Sequence, residues 1–193
     1  DPKPNEIIID LCSAPGGKAS HISELLDNKG KIFAYDVNLN RMMMLNDTIK
    51  RMKIKNIFSK LCDIRISKIE TGDKILIDAP CSGTGAISKH PDIKWRRKYS
   101  HIKEMQLLQK QILSCAAKQI KNKGTIIYST CSLENEENWV VINDFLKNNI
   151  NFKIQNAKEY ISNKYVDDKG AIFTYPPKHN IDGSFAVRLL KND

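Results

Sequence analysis

The stretch EIIIDLCSAPGGK, from Glu6 to Lys18, joins a short apolar run to a polar loop that contains two glycines. Three consecutive β-branched isoleucines favour a buried strand, and the apolar residues after Lys18 recur at helical spacing. The segment is therefore predicted to form a strand, a tight loop and a helix, in that order. Units of this kind stack into a parallel sheet with helices on both faces.

The same pattern recurs along the chain on the C-terminal side of this segment. The predicted strands are Glu6–Leu11, Lys31–Asp36, Asn56–Leu61, Lys74–Asp78 and Thr125–Ser129, and the predicted helices are Lys18–Leu26, Leu39–Met52, Ile102–Ile120 and Leu133–Lys147. Two later apolar runs, Phe152–Ile154 and Ser184–Leu190, predict an antiparallel terminal hairpin at one edge of the sheet. We therefore expect a Rossmann-like α/β fold with a mainly parallel, seven-stranded sheet, as a single domain over residues 1–193.

Composition excludes several classes of protein. Of the 193 residues 41% are hydrophobic, which is too many for a disordered chain, and no apolar run approaches the roughly 20 residues of a membrane helix. The chain starts at Asp1 without a signal peptide, which is typical of a domain taken from a longer protein. Its five cysteines are widely spaced and include no Cys-x-x-Cys pair. They predict neither a disulfide framework nor a metal site, and they favour a reducing, intracellular compartment.

The net charge of +9 is compatible with a polyanionic partner and also with compositional drift. The location of the charge is more informative than its sum. The segment Lys89–Lys103 holds six basic residues and a single acid, Asp92, with Trp95 and Tyr99 among them. Basic clusters that include aromatic rings bind phosphates and stack unpaired bases. The alternative is a solvated helix start with Trp95 packed inward.

The carboxyl ends of the predicted parallel strands should face one crevice, which is where ligands bind in such folds. The Gly16-Gly17 pair permits close approach of a ligand, but it fits neither a Walker A nor a dinucleotide pattern. Asp36 ends the second strand, where a carboxylate accepts bonds from ribose hydroxyls, and Asp63 follows the third, at the expected adenine edge. Helix capping is the alternative role for both. This pattern favours a nucleoside cofactor without a phosphate chain, for which S-adenosylmethionine is the candidate in this fold.

Two cysteines, Cys81 and Cys131, each follow a central strand and precede a serine. Cys131 is expected directly before a helix, whose dipole favours the thiolate. Three glutamates in the first turns of that helix should oppose part of the effect: Glu134, Glu136 and Glu137. The other cysteines are interpreted from their surroundings as small apolar side chains: Cys12, Cys62 and Cys115.

Five motifs in a fixed order carry a family resemblance. They are Leu11–Lys18, Asp78–Gly85, His90–Trp95, Tyr128–Ser132 and the closing His179-x-x-Asp182-Gly183-x-Phe185. Over nearly the whole chain they resemble the Nol/Nop/Sun family of RNA cytosine-5 methyltransferases. The His90–Trp95 stretch is most similar to the bacterial Sun (Fmu-like) 16S ribosomal RNA branch. The chain departs from the family pattern at three positions: Ser13, Ala19 and Ser184.

The resemblance implies a class I S-adenosylmethionine-dependent methyltransferase that modifies carbon 5 of a cytosine in RNA through a covalent intermediate. It implies that Cys131 is the nucleophile and that Cys81 assists breakdown of the intermediate. It places Asp78 against the base or the cofactor and leaves Lys18 between the same two roles. No metal is implied. The implied cofactor-binding residues are Cys12, Ser13, Ala14, Pro15, Gly16, Gly17, Lys18, Asp36, Asp63 and Asp78.

The expected partner is RNA with an unpaired or flipped cytosine, ribosomal RNA first and transfer RNA as the alternative. The expected location is the cytoplasm, or the nucleolus or an organelle in a eukaryote, and an additional RNA-recognition module is expected upstream. Two other functions stay open. One is a noncatalytic RNA-binding scaffold, and the other is a DNA cytosine methyltransferase, in which the cysteine after Pro80 would be the nucleophile.

Overall fold

A computed structural model describes all residues from Asp1 to Asp193. The strands are β1 (Ile7–Asp10), β2 (Lys31–Asp36), β3 (Ile57–Leu61), β4 (Gly72–Asp78), β5 (Ile120–Thr130), β6 (Phe152–Gln155), β7 (Ile172–Thr174) and β8 (Ser184–Lys191). The helices are α1 (Gly17–Leu25), α2 (Leu39–Arg51), α3 (Ile93–Arg96), α4 (Tyr99–Gln119), α5 (Trp139–Asn148) and α6 (Pro176–His179).

The strands form one sheet in the order β3-β2-β1-β4-β5-β8-β6, with β7 paired to β8. The first five of these strands pair in parallel, and β8 pairs antiparallel with β5, β6 and β7. The strand order therefore reverses between β1 and β4, and their carboxyl ends open toward the same edge. In this architecture that edge is the place for a ligand.

Each face of the sheet is covered by a helical layer, because adjacent strand residues point to opposite faces. Ile8 packs with the buried residues of α1 and α2 in a smaller apolar cluster. Its neighbour Ile9 belongs to a larger cluster of 22 buried residues, which includes the apolar faces of α4 and α5. The near-continuous run of isoleucines in β1 is thus explained by burial on both sides.

The predicted fold class is confirmed, with differences at the C-terminal edge. All seven predicted strands are present, and the structure adds an eighth that was not predicted, the three-residue strand β7. The terminal antiparallel pair is also present, but β8 lies between β5 and β6, so that β6 forms the edge. Helix α4 begins at Tyr99, three residues before the predicted start at Ile102, because its first turn is largely exposed and carries no apolar pattern.

The largest error concerns α5, which begins at Trp139 and not at Leu133. The residues before it form turns, because Glu137 points inward and Asn138 binds the end of β5 through Thr130. Cys131 consequently lies eight positions before the helix, and the expected helix-dipole effect on its thiol is wrong. The pKa of the Cys131 thiol is shifted by groups that lie near it in space, and not by the end of a helix.

Candidate active site

A cavity of about 560 Å³ opens at the carboxyl ends of the parallel strands. Seven of the twelve site residues predicted from the sequence line it: Cys12, Ala14, Asp36, Asp63, Asp78, Cys81 and Cys131. The other five lie outside the lining, in the loop between β1 and α1 or in the first turn of α1: Ser13, Pro15, Gly16, Gly17 and Lys18. The expected convergence of strand ends on one crevice is thus present.

The loop after β1 is fixed by the end of β2. The backbone N–H of Ala14 donates to Asp36 Oδ2 over 3.1 Å, and the N–H of Ser13 donates to the carbonyl of Tyr35 over 2.9 Å. The N–H of Asn38 donates to Asp36 Oδ1 over 2.9 Å. One backbone donor thus reaches each carboxylate oxygen, and each oxygen keeps a lone pair for a ligand hydroxyl.

The two glycines of this loop have different roles. Gly16 has φ +107°, and a Cβ there would lie 2.4 Å from Leu45 Cδ1 of α2. Gly17 opens α1, and a Cβ there would meet nothing within 4 Å. Gly16 is therefore required by the backbone conformation and by helix packing, whereas Gly17 leaves open space.

Asp63 reaches the cavity wall as part of an ion pair. Arg65 Nη2 donates to Asp63 Oδ2 over 2.6 Å, and Arg65 Nε donates to Oδ1 over 2.9 Å. These bonds lower the pKa of Asp63, which keeps the carboxylate ionised. Arg65 also lines the cavity, so this wall presents a charged pair and not a free carboxylate.

Asp10, at the end of β1, is 1% exposed, and neither carboxylate oxygen has a hydrogen-bond partner. Burial raises its pKa to about 7. The neighbouring Ser13 Oγ is also buried without a partner, and burial raises the pKa of the Cys12 thiol. Cys12 is therefore held as a neutral thiol, which agrees with its interpretation as a packing residue that touches the cavity.

Asp78 ends β4 and is bonded by side chains from two other elements, α1 and β5. Lys18 Nζ donates to its Oδ2 over 2.5 Å, and Ser129 Oγ donates to its Oδ1 over 3.0 Å. The ion pair unites the two residues whose roles the sequence leaves open. Lys18 comes to the site from α1 through this contact, although it does not line the cavity.

The two cysteines that follow β4 and β5 meet at the cavity floor. Their sulfur atoms, Cys81 Sγ and Cys131 Sγ, are 3.2 Å apart. The hydrogen bond from the Cys81 thiol lowers the pKa of Cys131 to about 7. The same contact, together with burial, raises the pKa of Cys81. Of the two thiols, Cys131 is therefore the one that ionises first, and Cys81 is the one that keeps its proton.

One buried carboxylate lies behind these thiols and was not predicted as a site residue. Glu137 is fully buried and accepts hydrogen bonds from Ser82 and Ser132, the residues that follow the two cysteines. A glutamate is buried to this extent only when its carboxylate is bonded. No sequence pattern separates Glu137 from the neighbouring Glu134 and Glu136, and the segment is predicted as a helix start.

The closing motif packs on the same loops through two glycines. Gly85 N donates to the carbonyl of Cys131 over 2.9 Å, and Gly183 N donates to the carbonyl of Gly85 over 2.8 Å. A Cβ on Gly85 would lie 2.1 Å from the carbonyl oxygen of Gly183. Only glycine allows the three backbone segments to approach so closely.

The basic segment Lys89–Lys103 lies on the surface beside these loops. Trp95 is 81% exposed, which excludes the alternative that it packs inward, and Lys94 Nζ lies 5.2 Å from the centre of its ring. Arg97 Nε donates to the carbonyl of Ser82 over 2.7 Å, which connects the segment to the Cys81 loop. The segment thus carries positive charge and an exposed aromatic ring, and Arg97 anchors it to the loop after Cys81.

Two negative findings complete the description. No helix is long and apolar enough to cross a membrane. No group of three or more His, Cys, Asp or Glu side chains is arranged to hold a metal ion.

Comparison with known proteins identifies close relatives. A family model described as 16S rRNA methyltransferase RsmB/F matches residues 1–190. Ribosomal RNA small subunit methyltransferase B of Shewanella oneidensis is 39% identical over 98% of this chain, and a tRNA (cytosine(72)-C(5))-methyltransferase of Pyrococcus horikoshii is 33% identical over 99%. The crystal structure of NSun6 from Pyrococcus horikoshii with SFG superposes over 100% of the chain with a TM-score of 0.89 and 33% identity. The chain spans 44%, 48% and 49% of these three proteins.

Proposed function

The chain belongs to the family of 16S rRNA methyltransferases RsmB/F, and from that membership we propose that it methylates carbon 5 of a cytosine in RNA, with S-adenosylmethionine as the methyl donor and Cys131 as the nucleophile. The observation that carries this proposal is the pair of thiols 3.2 Å apart in the same cavity as the Asp36 carboxylate. We further propose that residues 1–193 form the catalytic domain.

The residues of the cavity fit the proposed cofactor. Asp36 offers free lone pairs for the two ribose hydroxyls, since only one backbone N–H reaches each of its oxygens. Ile64, Pro80 and Leu108 provide an apolar wall for a flat ring. Asp78 adds a negative charge, which suits a cationic sulfonium. When bound, S-adenosylmethionine supplies an electrophilic methyl group.

Carbon 5 of cytosine is too weak a nucleophile until a group adds to carbon 6. The Cys131 thiolate forms a bond to carbon 6, and the electron pair of the double bond moves toward carbon 5, which then takes the methyl group. Removal of the carbon 5 proton returns the electron pair and expels the Cys131 thiolate. The bond between Cys131 and carbon 6 is thus formed and broken once, and the complete cycle returns Cys131 to the thiolate.

The geometry of the thiol pair supports Cys81 as the group that accepts the carbon 5 proton. While Cys131 is a thiolate, its charge keeps Cys81 protonated. Once Cys131 is bonded to carbon, that charge is gone, so Cys81 can release its proton to water and accept the one from carbon 5. Asp78 with Lys18 lies beside the pair to bind the edge of the base.

This arrangement favours an RNA methyltransferase over the two other functions. In a DNA cytosine methyltransferase Cys81 would be the nucleophile, but here the neighbouring thiol raises its pKa. A noncatalytic scaffold has no use for a second thiol that lowers the pKa of the first.

We propose ribosomal RNA as the substrate, and hence a cytoplasmic location, because the family model and the Shewanella oneidensis relative both carry that function in their names. Transfer RNA is the second candidate, favoured by the Pyrococcus horikoshii relative. In either case the target base must leave its stack to reach Cys131, which costs a few kcal/mol and least for an unpaired base. The segment Lys89–Lys103 would bind the adjacent phosphates, and Trp95 would stack an unpaired base.

Trapping with RNA that contains 5-fluorocytosine tests the assignment, because fluorine cannot leave as the proton does. We expect a covalent adduct that peptide mass spectrometry maps to Cys131, and no adduct with Cys131→Ala. With ordinary RNA and cofactor, Cys81→Ala should accumulate the adduct. Cys115→Ala, which changes a cysteine outside the cavity, is the control. An adduct on Cys81 would contradict the proposal.

A further inference from the structure

Glu137 occupies a closed space between α4 and the loops that carry the thiols. Its side chain is fully buried and accepts four hydrogen bonds. At Oε1 the donors are the backbone N–H of Ser82 over 2.8 Å and Gln109 Nε2 over 3.1 Å. At Oε2 they are Ser132 Oγ over 2.5 Å and Ser82 Oγ. A buried carboxylate with this many donors is fixed in place.

Three of the four donor groups belong to the loops after β4 and β5, which are distant in sequence, and the fourth belongs to Gln109 of α4. Ser82 directly follows Cys81, and Ser132 directly follows Cys131, so one carboxylate holds the residue next to each thiol. The two serine hydroxyls are themselves 3.1 Å apart. Gln109 strengthens the connection, since its Nε2 also donates to the carbonyl of Pro80 over 2.9 Å.

The backbone of Glu137 is itself fixed from β5. The buried Tyr128 hydroxyl donates to the Glu137 carbonyl over 2.6 Å. The next residue, Asn138, accepts from Thr130 Oγ1 over 2.6 Å and donates to the carbonyl of Ser132 over 2.9 Å. The backbone at Glu137 is therefore fixed by β5, and the Glu137 carboxylate holds both loops relative to that strand.

We propose that Glu137 is a positioning residue that sets the distance between the sulfur atoms of Cys81 and Cys131. Its importance for methyl transfer rests on the proposed function, whereas its effect on the thiols does not. A loop displaced by about 1 Å would separate the sulfurs beyond hydrogen-bond range, and misplacements of this size reduce turnover by about 100-fold.

Two substitutions at Glu137 separate its geometry from its charge. Glu137→Gln and Glu137→Ala both remove the negative charge of Glu137. That charge raises the pKa of Cys131, so its removal alone lowers the pKa. Only Glu137→Gln preserves the volume and the ability to bond Ser82 and Ser132. The other titratable groups facing Cys131 are Cys81 and Asp78 at the end of β4, and both variants keep them.

The first measurement is the rate of Cys131 alkylation by iodoacetamide as a function of pH, followed by mass spectrometry. The natural chain should give a midpoint near 7. Glu137→Gln should give the same midpoint or a lower one. Glu137→Ala should move the midpoint upward toward the ordinary thiol value near 9, because the bond from Cys81 is lost.

The second measurement is methyl transfer to RNA. Glu137→Ala should lower kcat by about 100-fold and leave the KM for S-adenosylmethionine within about threefold, since Glu137 does not line the cavity. Glu137→Gln should recover at least about tenfold of that loss. Glu136→Ala is the matched control, because the Glu136 carboxylate makes only a 3.4 Å contact with the Tyr99 hydroxyl.

Equal alkylation midpoints for Glu137→Ala and Glu137→Gln would overturn the proposal, even with a loss of turnover, because Glu137 would then support only the fold. If Glu137→Ala is insoluble, the double variant Ser82→Ala with Ser132→Ala removes both hydroxyl contacts and should raise the midpoint of Cys131 alkylation. An unchanged midpoint in the double variant would also overturn the proposal. If the natural chain methylates no RNA, the proposed function fails while the alkylation midpoints still decide the role of Glu137.

Discussion

The site has two halves that are held together in different ways. In the cofactor half, at the ends of β2 and β3, each carboxylate has a partner two residues further along, Asn38 for Asp36 and Arg65 for Asp63, and the more distant bond, from Ala14 to Asp36, spans 22 residues. In the thiol half, at the ends of β4 and β5, Cys81 and Cys131 meet from positions 50 residues apart, and Glu137 is bonded to Ser82 across 55 residues.

This difference determines how each half responds to change. A contact made within a short segment can be lost without moving the rest of the site, so substitutions in the cofactor half should act one at a time. Contacts that connect distant segments share partners, so substitutions in the thiol half should be strongly non-additive. We expect substitutions in the cofactor half to weaken cofactor binding. Substitutions in the thiol half should lower both the free energy of unfolding and the turnover.

The largest expected effect is from Gly85→Ala in the thiol half. The new Cβ would lie 2.1 Å from the Gly183 carbonyl oxygen and 2.9 Å from that of Cys131, so the backbone must move. We expect a loss of about 3 kcal/mol in the free energy of unfolding, measured by urea denaturation, together with loss of methyl transfer.

The matched control in the cofactor half is Gly17→Ala, whose Cβ would meet nothing within 4 Å. The free energy of unfolding should change by less than about 1 kcal/mol, since alanine also suits the first turn of α1. Similar losses for the two variants would remove the distinction between the halves.

The second prediction concerns the thiol pair. Cys81→Ala removes the hydrogen bond that lowers the pKa of Cys131 from its ordinary value near 9 to about 7. The thiolate forms as pH rises through the pKa, so the alkylation midpoint of Cys131 should move upward. At pH near 7.5 the alkylation rate should fall roughly 25-fold, and at about pH 10 the two proteins should react alike.

The Cys81→Ala result is also relevant to adduct trapping. Assays of the adduct in this variant belong at a pH near 9, where Cys131 ionises without help. A midpoint that stays near 7 in Cys81→Ala would show that the two thiols act independently.

The third prediction concerns the cofactor half. Asp36→Ala removes an acceptor of two ribose hydroxyl bonds, so S-adenosylmethionine should bind about 30-fold more weakly in calorimetry. Turnover at saturating cofactor should be preserved, because no contact of Asp36 reaches the thiols. Asp47→Ala makes the same charge change at an exposed position of α2 and should bind normally. An unchanged affinity of Asp36→Ala for S-adenosylmethionine would indicate that Asp36 only fixes the loop at Ala14.

The smallest effect is expected outside both halves. Removing Lys94 and Arg96 together should weaken RNA binding several-fold at low salt and progressively less at high salt, because two fewer counterions are released. Arg97 is left in place, since it also binds the Ser82 carbonyl. The control removes Lys50 and Arg51, at the end of α2 remote from the cavity. Equal losses in the two double variants would indicate a general charge effect.

The two halves also differ in what the sequence could predict. Asp36 and Asp63 were located because each ends or follows an apolar run, and strand ends in a parallel sheet meet at one edge. Cys81 and Cys131 were located for the same reason and by the family resemblance. The pairing of Asp63 with Arg65 and the role of Gly16 against Leu45 required the folded positions of side chains.

Glu137 could not be located in this way. Its partners are Ser82, Gln109 and Ser132, which no periodic pattern connects to it. The segment Leu133–Asn138 has the composition of a helix start, and the tertiary bonds of Glu137 and Asn138 outweigh that local preference. A periodic sequence pattern indicates which face of a helix or strand is buried. A single polar side chain that points inward does not change that pattern.

The position of β8 sets an order of assembly for the chain. β5 and β6 precede β8 in sequence, yet β8 lies between them and pairs with both. Until Ser184–Lys191 leaves the ribosome, β5 has an open edge of unpaired backbone groups beside the loop of Cys131. Open edges of this kind invite pairing with other chains. The edge of β5 should therefore be most open to pairing with other chains during the interval between the emergence of β5 and that of β8.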